Sequence, residues 1–190
     1  MIRISPSFIL GGAAVLTLLI GGTALSAQDK QTKDKYTLKV PGGLAFSEFK
    51  GYESWQVISV SHGGRLAVIL GNPAMIEALE SGAYGNGKPY PDGAKMAKIH
   101  WTVKKNEAEP GQPEVPDTLH DVDFMVKDSQ RFADSGGWGY AEFEYDTDEQ
   151  AYRPGTEADQ PPQSNDAKCG FACHTVVASH DYVFTVYGKR

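Results

Sequence analysis

Residues 99–103 read Ile-His-Trp-Thr-Val, and this stretch indicates the fold class. Ile99, Trp101 and Val103 alternate with two polar side chains. Successive side chains of a strand point to opposite faces, so the pattern predicts a strand with one buried face. The alternation recurs over residues 141–145, which read Ala-Glu-Phe-Glu-Tyr. Strands that are apolar on one face only are typical of antiparallel sheets.

Further elements are predicted on both sides of these strands. Residues 44–55 suggest a short helix or turn with one apolar side. Other strands are expected over 55–60, 66–70 and 182–187, with turn residues at 61–64 between the first two. A helix is expected to begin at Asn72-Pro73 and to end at Gly82, because Asn caps a helix, Pro fits its first position and Gly ends it.

A second helix is expected over 126–133, and polar loops over 104–118 and 152–168. The strands outnumber the helices and do not alternate with them regularly. We therefore expect an α+β single domain, mainly an antiparallel β-sheet with a few short helices.

The overall composition excludes several classes of protein. Hydrophobic residues make up 41% of the 190 residues and charged residues 22%, as in ordinary globular proteins. The formal net charge of −6, without a basic cluster, argues against a nucleic-acid partner. The two cysteines are too few for a disulfide-dense scaffold.

Residues 1–27 have the pattern of a secretory signal peptide. Arg3 is the only charged residue before Asp29, an apolar stretch covers 8–20, and small residues lead to Ala27. The apolar stretch is shorter than the roughly 20 residues of a spanning helix, and an uncleaved anchor is the alternative. A polar tail is expected over 28–35 and the folded domain over 36–190. The processed protein is expected to be periplasmic, without a membrane span.

Both cysteines lie in the segment 169–174, which reads Cys-Gly-Phe-Ala-Cys-His. It is one residue longer than C-x-x-C-H, the haem-attachment signature. In that chemistry Cys169 and Cys173 add to the two haem vinyl groups, and His174 binds the iron. Cysteines four residues apart on a helical turn share one face, so the longer spacing permits the same chemistry.

Three other interpretations of this segment remain open. A structural disulfide would need local bending and would close a very small loop. A zinc site would lack a ligand, because no second Cys/His pair is near. A redox dithiol is the third, although the chain lacks a C-x-x-C motif after a strand.

Several segments together resemble the cytochrome P-460 family, whose relatives include the cytochromes c′-β. The resemblance covers about residues 36–187. The segments that carry it are LAFSEFKGYESW (44–55), PDGAKMAK (91–98), VKDSQRF (126–132), GGWGYAEF (136–143), CGFACHT (169–175) and DYVFT (181–185). The resemblance implies a mainly antiparallel β fold that holds one covalent haem c, often in a homodimer.

Two activities occur among the proteins that this chain resembles. The P-460 type carries a bond between a lysine and the porphyrin edge and oxidises hydroxylamine. The c′-β type lacks that bond and binds gases such as nitric oxide or carbon monoxide at a five-coordinate iron. We expect hydroxylamine oxidation, with the electrons passed to a soluble periplasmic acceptor such as another c-type cytochrome. Gas binding and simple electron transfer are the alternatives.

The resemblance also assigns candidate residues around the haem. Lys98 matches the cross-linking lysine, and Lys95 is the rival position. A distal carboxylate is expected shortly before VKDSQRF, where Asp123 is favoured over Asp121 as a catalytic proton acceptor and capping is the alternative role.

Two further groups of residues are candidates for contact with the haem. Phe46 and Phe49 are candidate walls of the haem pocket, with ordinary core packing as the alternative. A sixth iron ligand stays open, and the methionine and histidine candidates are Met75, Met96, Met125, His62, His100, His120 and His180.

Overall fold

Six antiparallel strands form one sheet in this computed structural model, in the order of the chain. The structure describes residues 34–40, 43–155 and 165–188, without the side chains of 165–169. Every strand pairs with the next, so the predicted mainly antiparallel α+β fold is confirmed. The strands are β1 (Gln56–His62), β2 (Leu66–Gly71), β3 (Lys95–Lys105), β4 (Glu114–Lys127), β5 (Trp138–Asp146) and β6 (Ala151–Pro154).

Two α-helices accompany the sheet in the described ranges, α1 (Pro73–Ser81) and α2 (Asn165–His174). Helix α1 has the predicted ends: the Asn72 side chain accepts from the Met75 amide at 3.0 Å, and Gly82 follows with a φ of 61°. Short 3₁₀ helices occupy Lys35–Thr37, Phe46–Phe49, Tyr52–Ser54, Ala133–Ser135 and Thr175–His180. The signal peptide predicted over 1–27 lies outside the described residues. Among the described residues, no helix has both the length and the apolar character to cross a membrane.

The two faces of the sheet pack against different partners. One face, here the core face, carries Val122, Phe124 and Phe143 and packs against the 3₁₀ helices of residues 46–54. The other, the site face, carries Met96, Met125 and Tyr140. Helix α1, Trp138 and the C-terminal Val183 complete the apolar cluster on the site face. The C-terminal segment therefore packs on the site face.

Four local predictions were wrong. The segment predicted as a helix over 126–133 is the end of β4 followed by a turn in which Phe132 N donates to Asp128 O at 3.0 Å. The loop predicted over 104–118 is shorter than expected, because β3 extends to Lys105 and β4 begins at Glu114, and only 106–113 connect them. Strand β6 (Ala151–Pro154) occupies the first residues of the loop predicted over 152–168. Residues 182–187 do not pair with the sheet.

Candidate functional site

A cavity of about 760 Å³ lies between the site face of the sheet and the C-terminal segment. Lys98 and Asp123 line it from the sheet, and Cys173 and His174 line it from the end of α2. The cavity is of the size that proteins use for cofactors and small ligands. The fold thus brings together four residues that the sequence had separately marked as candidates.

Lys98 and Asp123 are direct partners in the β3–β4 register. Ile69 and Glu142 continue the same row on the flanking strands and also line the cavity. Directly opposed residues of an antiparallel pair share a face of the sheet, so the row forms one wall of the cavity.

Lys95 is excluded from this wall. Its Nζ atom donates to the backbone carbonyl of Glu48 at 2.5 Å and lies 5.5 Å from the centre of the Phe49 ring, on the core face. Positions an odd number of residues apart in a strand point to opposite faces, so only one of the two lysines can reach the cavity. Of the two lysines, Lys98 is the one that lines the cavity.

Asp123 is the cavity-facing carboxylate. Solvent can reach 44% of the surface of its side chain, because the side chain faces the cavity, although protein lies around the cavity on most sides. Burial, and then the neighbouring charge of Asp121, raises the pKa of Asp123 to about 6, although His100 and Lys98 act in the opposite direction. A carboxyl group with this pKa can accept and release a proton near neutral pH.

Asp121 has a different environment, because it is only 3% exposed and its two oxygens are already occupied. One accepts a hydrogen bond from His100 Nδ1, and the other accepts one from His120 Nδ1 at 2.5 Å. Arg65 Nη1 lies 3.6 Å from the same carboxylate. Burial acts to raise the pKa of Asp121, but the bonds and charges of the two histidines outweigh it and lower the pKa overall. The charged carboxylate of Asp121 therefore fixes the positions of the His100 and His120 rings.

His100 lines a second cavity and lies next to Asp123. Its Nδ1 atom lies 3.8 Å from Asp123 Oδ2, and its ring lines a second cavity of about 670 Å³ together with Arg65 and Lys98. His100, Asp121 and Asp123 offer ligand atoms within 4.8 Å of one another, as a cation site requires. The positive charges of Arg65 and Lys98 beside them oppose a bound cation.

His174 is held with one ring nitrogen occupied. Its Nδ1 donates to the Tyr182 carbonyl at 2.6 Å, which leaves Nε2 as the free ligand atom. Burial lowers the pKa of His174, opposed by the bond to Tyr182, so the imidazole is kept neutral. The rings of Tyr140 and Phe184, at centroid distances of 5.3 and 4.9 Å, bracket it.

The helix α2 carries both cysteines. The Cys173 thiol is exposed and lines the cavity, whereas the side chain of Cys169 lies outside the described residues. Gly170 lets α2 sit close to β5, since a Cβ atom there would lie 3.2 Å from the Tyr140 ring. The close approach places the last turn of α2 at the edge of the cavity.

Phe46 and Phe49 are not brought to this cavity. Both are fully buried on the core face, where Phe46 lies 4.7 Å from the Phe143 ring and Phe49 stacks on Phe124 at 4.0 Å. The sheet itself stands between them and the cavity. The structure therefore gives them the packing role and not the expected position in the pocket wall.

The remaining candidates for a sixth ligand divide by location. Met96 and Met125 line the site cavity, whereas Met75 lies on α1 and is fully buried in the apolar cluster between α1 and the sheet. His62 and His100 line the second cavity. The sequence did not mark Tyr140 or Phe184 as neighbours of His174, because only the β5 register and the course of the unpaired C-terminal segment place them there.

A comparison with protein families gives one match. The family described as Cytochrome P460 matches residues 49–185, which is well over half of the chain and includes Lys98, Asp123, Cys173 and His174. No curated protein matches the chain.

Proposed function

Since this chain belongs to the cytochrome P460 family, we propose that it is an exported mono-haem c-type cytochrome that oxidises hydroxylamine and passes the electrons to a soluble acceptor. The family implies a haem c cofactor. The observation that carries the proposal is that Lys98 and Asp123 face the same cavity as Cys173 and His174.

The residues of the cavity fit a covalently attached haem. Cys173 offers a thiol at the cavity edge, and Cys169 lies four residues before it in α2, the separation that places two positions on one helix face. His174 offers a neutral imidazole with Nε2 free, the form that binds iron. When bound, haem supplies an iron coordination position for the substrate and accepts its electrons.

Lys98 is proposed as the residue that would be bonded to the porphyrin edge, an N–C bond that would replace one N–H and one C–H bond and release two protons and two electrons to an external oxidant. Lys98 extends from the middle of β3, paired on both sides by β2 and β4, so its backbone is fixed by the sheet. A reactive group on a central strand is held more precisely than one on a loop. The orientation of Lys95 towards the core face supports this assignment.

Asp123 is proposed as the base. Oxidation of hydroxylamine releases protons together with electrons, and a nearby carboxylate can accept them. With a pKa of about 6, the carboxyl group of Asp123 is mostly ionised at neutral pH and can therefore accept a proton. Because this pKa is higher than usual, the group can also hold that proton transiently. The onward route for the proton is proposed to run through solvent past His100, whose ring borders the second cavity and whose Nδ1, 3.8 Å from Asp123, is already bonded to Asp121.

The electron acceptor and the oligomeric state are also proposals. Val176, Phe184 and Val186 are 77%, 52% and 83% exposed and lie in the chain that follows His174. Phe184 and Val186 also line the cavity, so they would border a bound haem, and this supports electron transfer to a soluble partner at that edge. A homodimer remains the expectation from the family resemblance.

The alternative function is binding of nitric oxide or carbon monoxide without turnover. The apolar part of the cavity lining, formed by Ile69, Met96 and Met125, favours a small neutral ligand. The two functions differ in the chemistry expected at Lys98 and Asp123.

The deciding experiment uses haem-loaded protein made in a host that attaches haem c. Intact mass and the Soret absorption first establish loading. Hydroxylamine is then added with an artificial electron acceptor, and reduction of the acceptor is followed. We expect turnover. Fully loaded protein that binds nitric oxide yet does not oxidise hydroxylamine would instead support the gas-binding alternative.

A further inference from the structure

A buried ion pair lies beside the segment that contacts His174. Lys127 is 4% exposed and its Nζ atom lies 2.8 and 2.9 Å from the two carboxylate oxygens of Asp181. The same Nζ donates to the Gly136 carbonyl at 3.0 Å. The pair is remote from the Lys98–Asp123 row, and the proposed reaction does not use it directly.

Asp181 is fixed from three further directions. Its carboxylate accepts from the Tyr90 amide at 2.7 Å, and its backbone carbonyl accepts from Trp138 Nε1 at 2.8 Å. Its backbone amide donates to Ala178 O at 3.0 Å. Asp181 is therefore held by the sheet, by the loop before β3 and by its own turn.

The turn that these contacts hold is unusual. Asp181 and Tyr182 are consecutive non-glycine residues in the left-handed region, with φ of 49° and 64°. Such residues persist only where the surroundings determine the backbone, and they cluster at functional sites. This turn directs the Tyr182 carbonyl towards His174, and the carbonyl oxygen accepts a hydrogen bond from His174 Nδ1 at 2.6 Å.

The Tyr182 side chain is fixed on the other side of the turn. Its ring lies on Gly136, where an added Cβ atom would come within 2.2 Å of the ring, and it packs beside Phe171 of α2 at 5.6 Å. Gly136 also accepts the bond from Lys127. The ion pair and the tyrosine ring are thus parts of one connected set of contacts around the turn.

We infer that Lys127 and Asp181 are positioning residues for His174, which act by holding the Tyr182 carbonyl against its Nδ1 atom. The inference rests on the proposed role of His174 as iron ligand. It accounts for three segments noted in the sequence, VKDSQRF, GGWGYAEF and DYVFT, which supply Lys127, Trp138 and Asp181.

The physical consequence concerns the strength of the ligand. A hydrogen bond from the far nitrogen of a metal-bound imidazole fixes its orientation and raises its basicity. A more basic ligand stabilises ferric over ferrous iron. Loosening the turn should therefore raise the reduction potential of the bound haem and lower its iron–histidine stretching frequency.

The test compares haem-loaded wild-type protein with Lys127→Met and with the double variant Lys127→Met/Asp181→Asn. The single variant leaves a mostly buried carboxylate unpaired and could prevent folding; the double variant leaves neither charge unpaired. Glu48→Gln is the matched control, since it breaks the Arg131–Glu48 ion pair, which has an Nη1–Oε2 distance of 2.7 Å, near the core face. Potentiometric titration, resonance Raman spectra of the ferrous protein and thermal melts are recorded for each.

We expect both Lys127 variants to have a raised potential and a lower iron–histidine frequency, and Glu48→Gln to lower the melting temperature only. Folded, loaded Lys127 variants with the wild-type potential and frequency would overturn the inference. So would failure of the double variant to fold, since the pair would then be a general folding determinant. Absence of an iron–histidine band in the wild-type protein would instead contradict the proposed function.

Discussion

Lys98 and Asp123 are directly opposed across β3 and β4, and both side chains open into the cavity that His174 borders. The two residues come from different hairpin arms, and only the strand register brings them together. This arrangement places an amine and a carboxylate at adjacent positions on one wall.

We predict that proteolytic digestion of the loaded protein yields a haem peptide that joins the segment around Lys98 to residues 169–174. Lys98→Arg should leave the haem attached through the cysteines alone, because the guanidinium stays protonated and is not nucleophilic. Lys95→Arg is the matched control and should keep the wild-type linkage, since Lys95 bonds to the Glu48 carbonyl on the core face. Mass spectrometry of the digests distinguishes these outcomes. A wild-type digest without the link would favour the gas-binding alternative.

Asp123→Asn should reduce hydroxylamine turnover by about 10²- to 10⁴-fold, the usual contribution of a positioned proton acceptor. The ratio of the wild-type rate to the variant rate should rise with pH through about 6 as the carboxylate ionises, whereas the protonation of hydroxylamine affects both proteins alike. Asp117→Asn, on the exposed part of the same strand, is the control and should behave as wild type. An unchanged pH profile in Asp123→Asn would remove this residue from the mechanism.

The same substitution should change stability in a pH-dependent way. The folded-state pKa of Asp123, about 6, lies above its ordinary value of 3.8, so the folded protein binds the proton more tightly than the unfolded chain. This contribution to stability is fully present below pH 3.8 and is lost as the pH rises through 6. Asp123→Asn should therefore melt higher than wild type at pH 7 but not at pH 3.5. Equal differences at the two pH values would contradict the raised pKa.

His100→Gln should slow turnover less than Asp123→Asn does, and it should increase the solvent deuterium isotope effect. His100 lies 3.8 Å from Asp123 and lines the second cavity, so its loss lengthens the route for the proton without removing the first acceptor. His62→Gln is the comparison variant, because His62 lines the same cavity but pairs with Glu114 at 3.3 Å. If both variants have the same isotope effect, the route does not pass through His100.

Local patterns predicted the elements whose side chains alternate or whose ends are capped. Strands β2, β3 and β5 and helix α1 have such signals, as Asn72 and Gly82 illustrate for the helix. The outer part of the β3–β4 hairpin has no such signal, because most of its residues are polar, and it is held by strand pairing and by contacts such as the Lys104–Asp117 ion pair. The helix predicted to begin at Val126 does not form. Residues 126 and 127 pair with β3 and β5, and this pairing outweighs the short apolar pattern that favoured a helix.

The site was predictable to the extent that its chemistry lies in one segment. Cys173 and His174 are adjacent in sequence, whereas the choice between Lys98 and Lys95 needed the strand register. The role of Asp123 stays a prediction, but the difference in environment between Asp123 and Asp121 has a cause that the sequence did not contain. Asp121 is occupied by two histidines, and Asp123 faces the cavity.

Phe46 provides the last prediction, because its two interpretations differ in outcome. The ring is fully buried on the core face, with its centroid 4.7 Å from that of Phe143 and 5.3 Å from that of Phe124. Phe46→Ala should lower the free energy of unfolding by about 3–5 kcal/mol, as expected for loss of a buried aromatic side chain. The Soret spectrum and nitric oxide binding of the folded variant should be unchanged, because the sheet separates the new void from the site cavity.

Val60→Ala, at a 59% exposed position, is the control for Phe46→Ala and should change neither stability nor the haem spectrum. Denaturant titration and optical spectra measure both quantities. A shifted Soret band with near wild-type stability would instead support the interpretation that Phe46 lines the haem pocket.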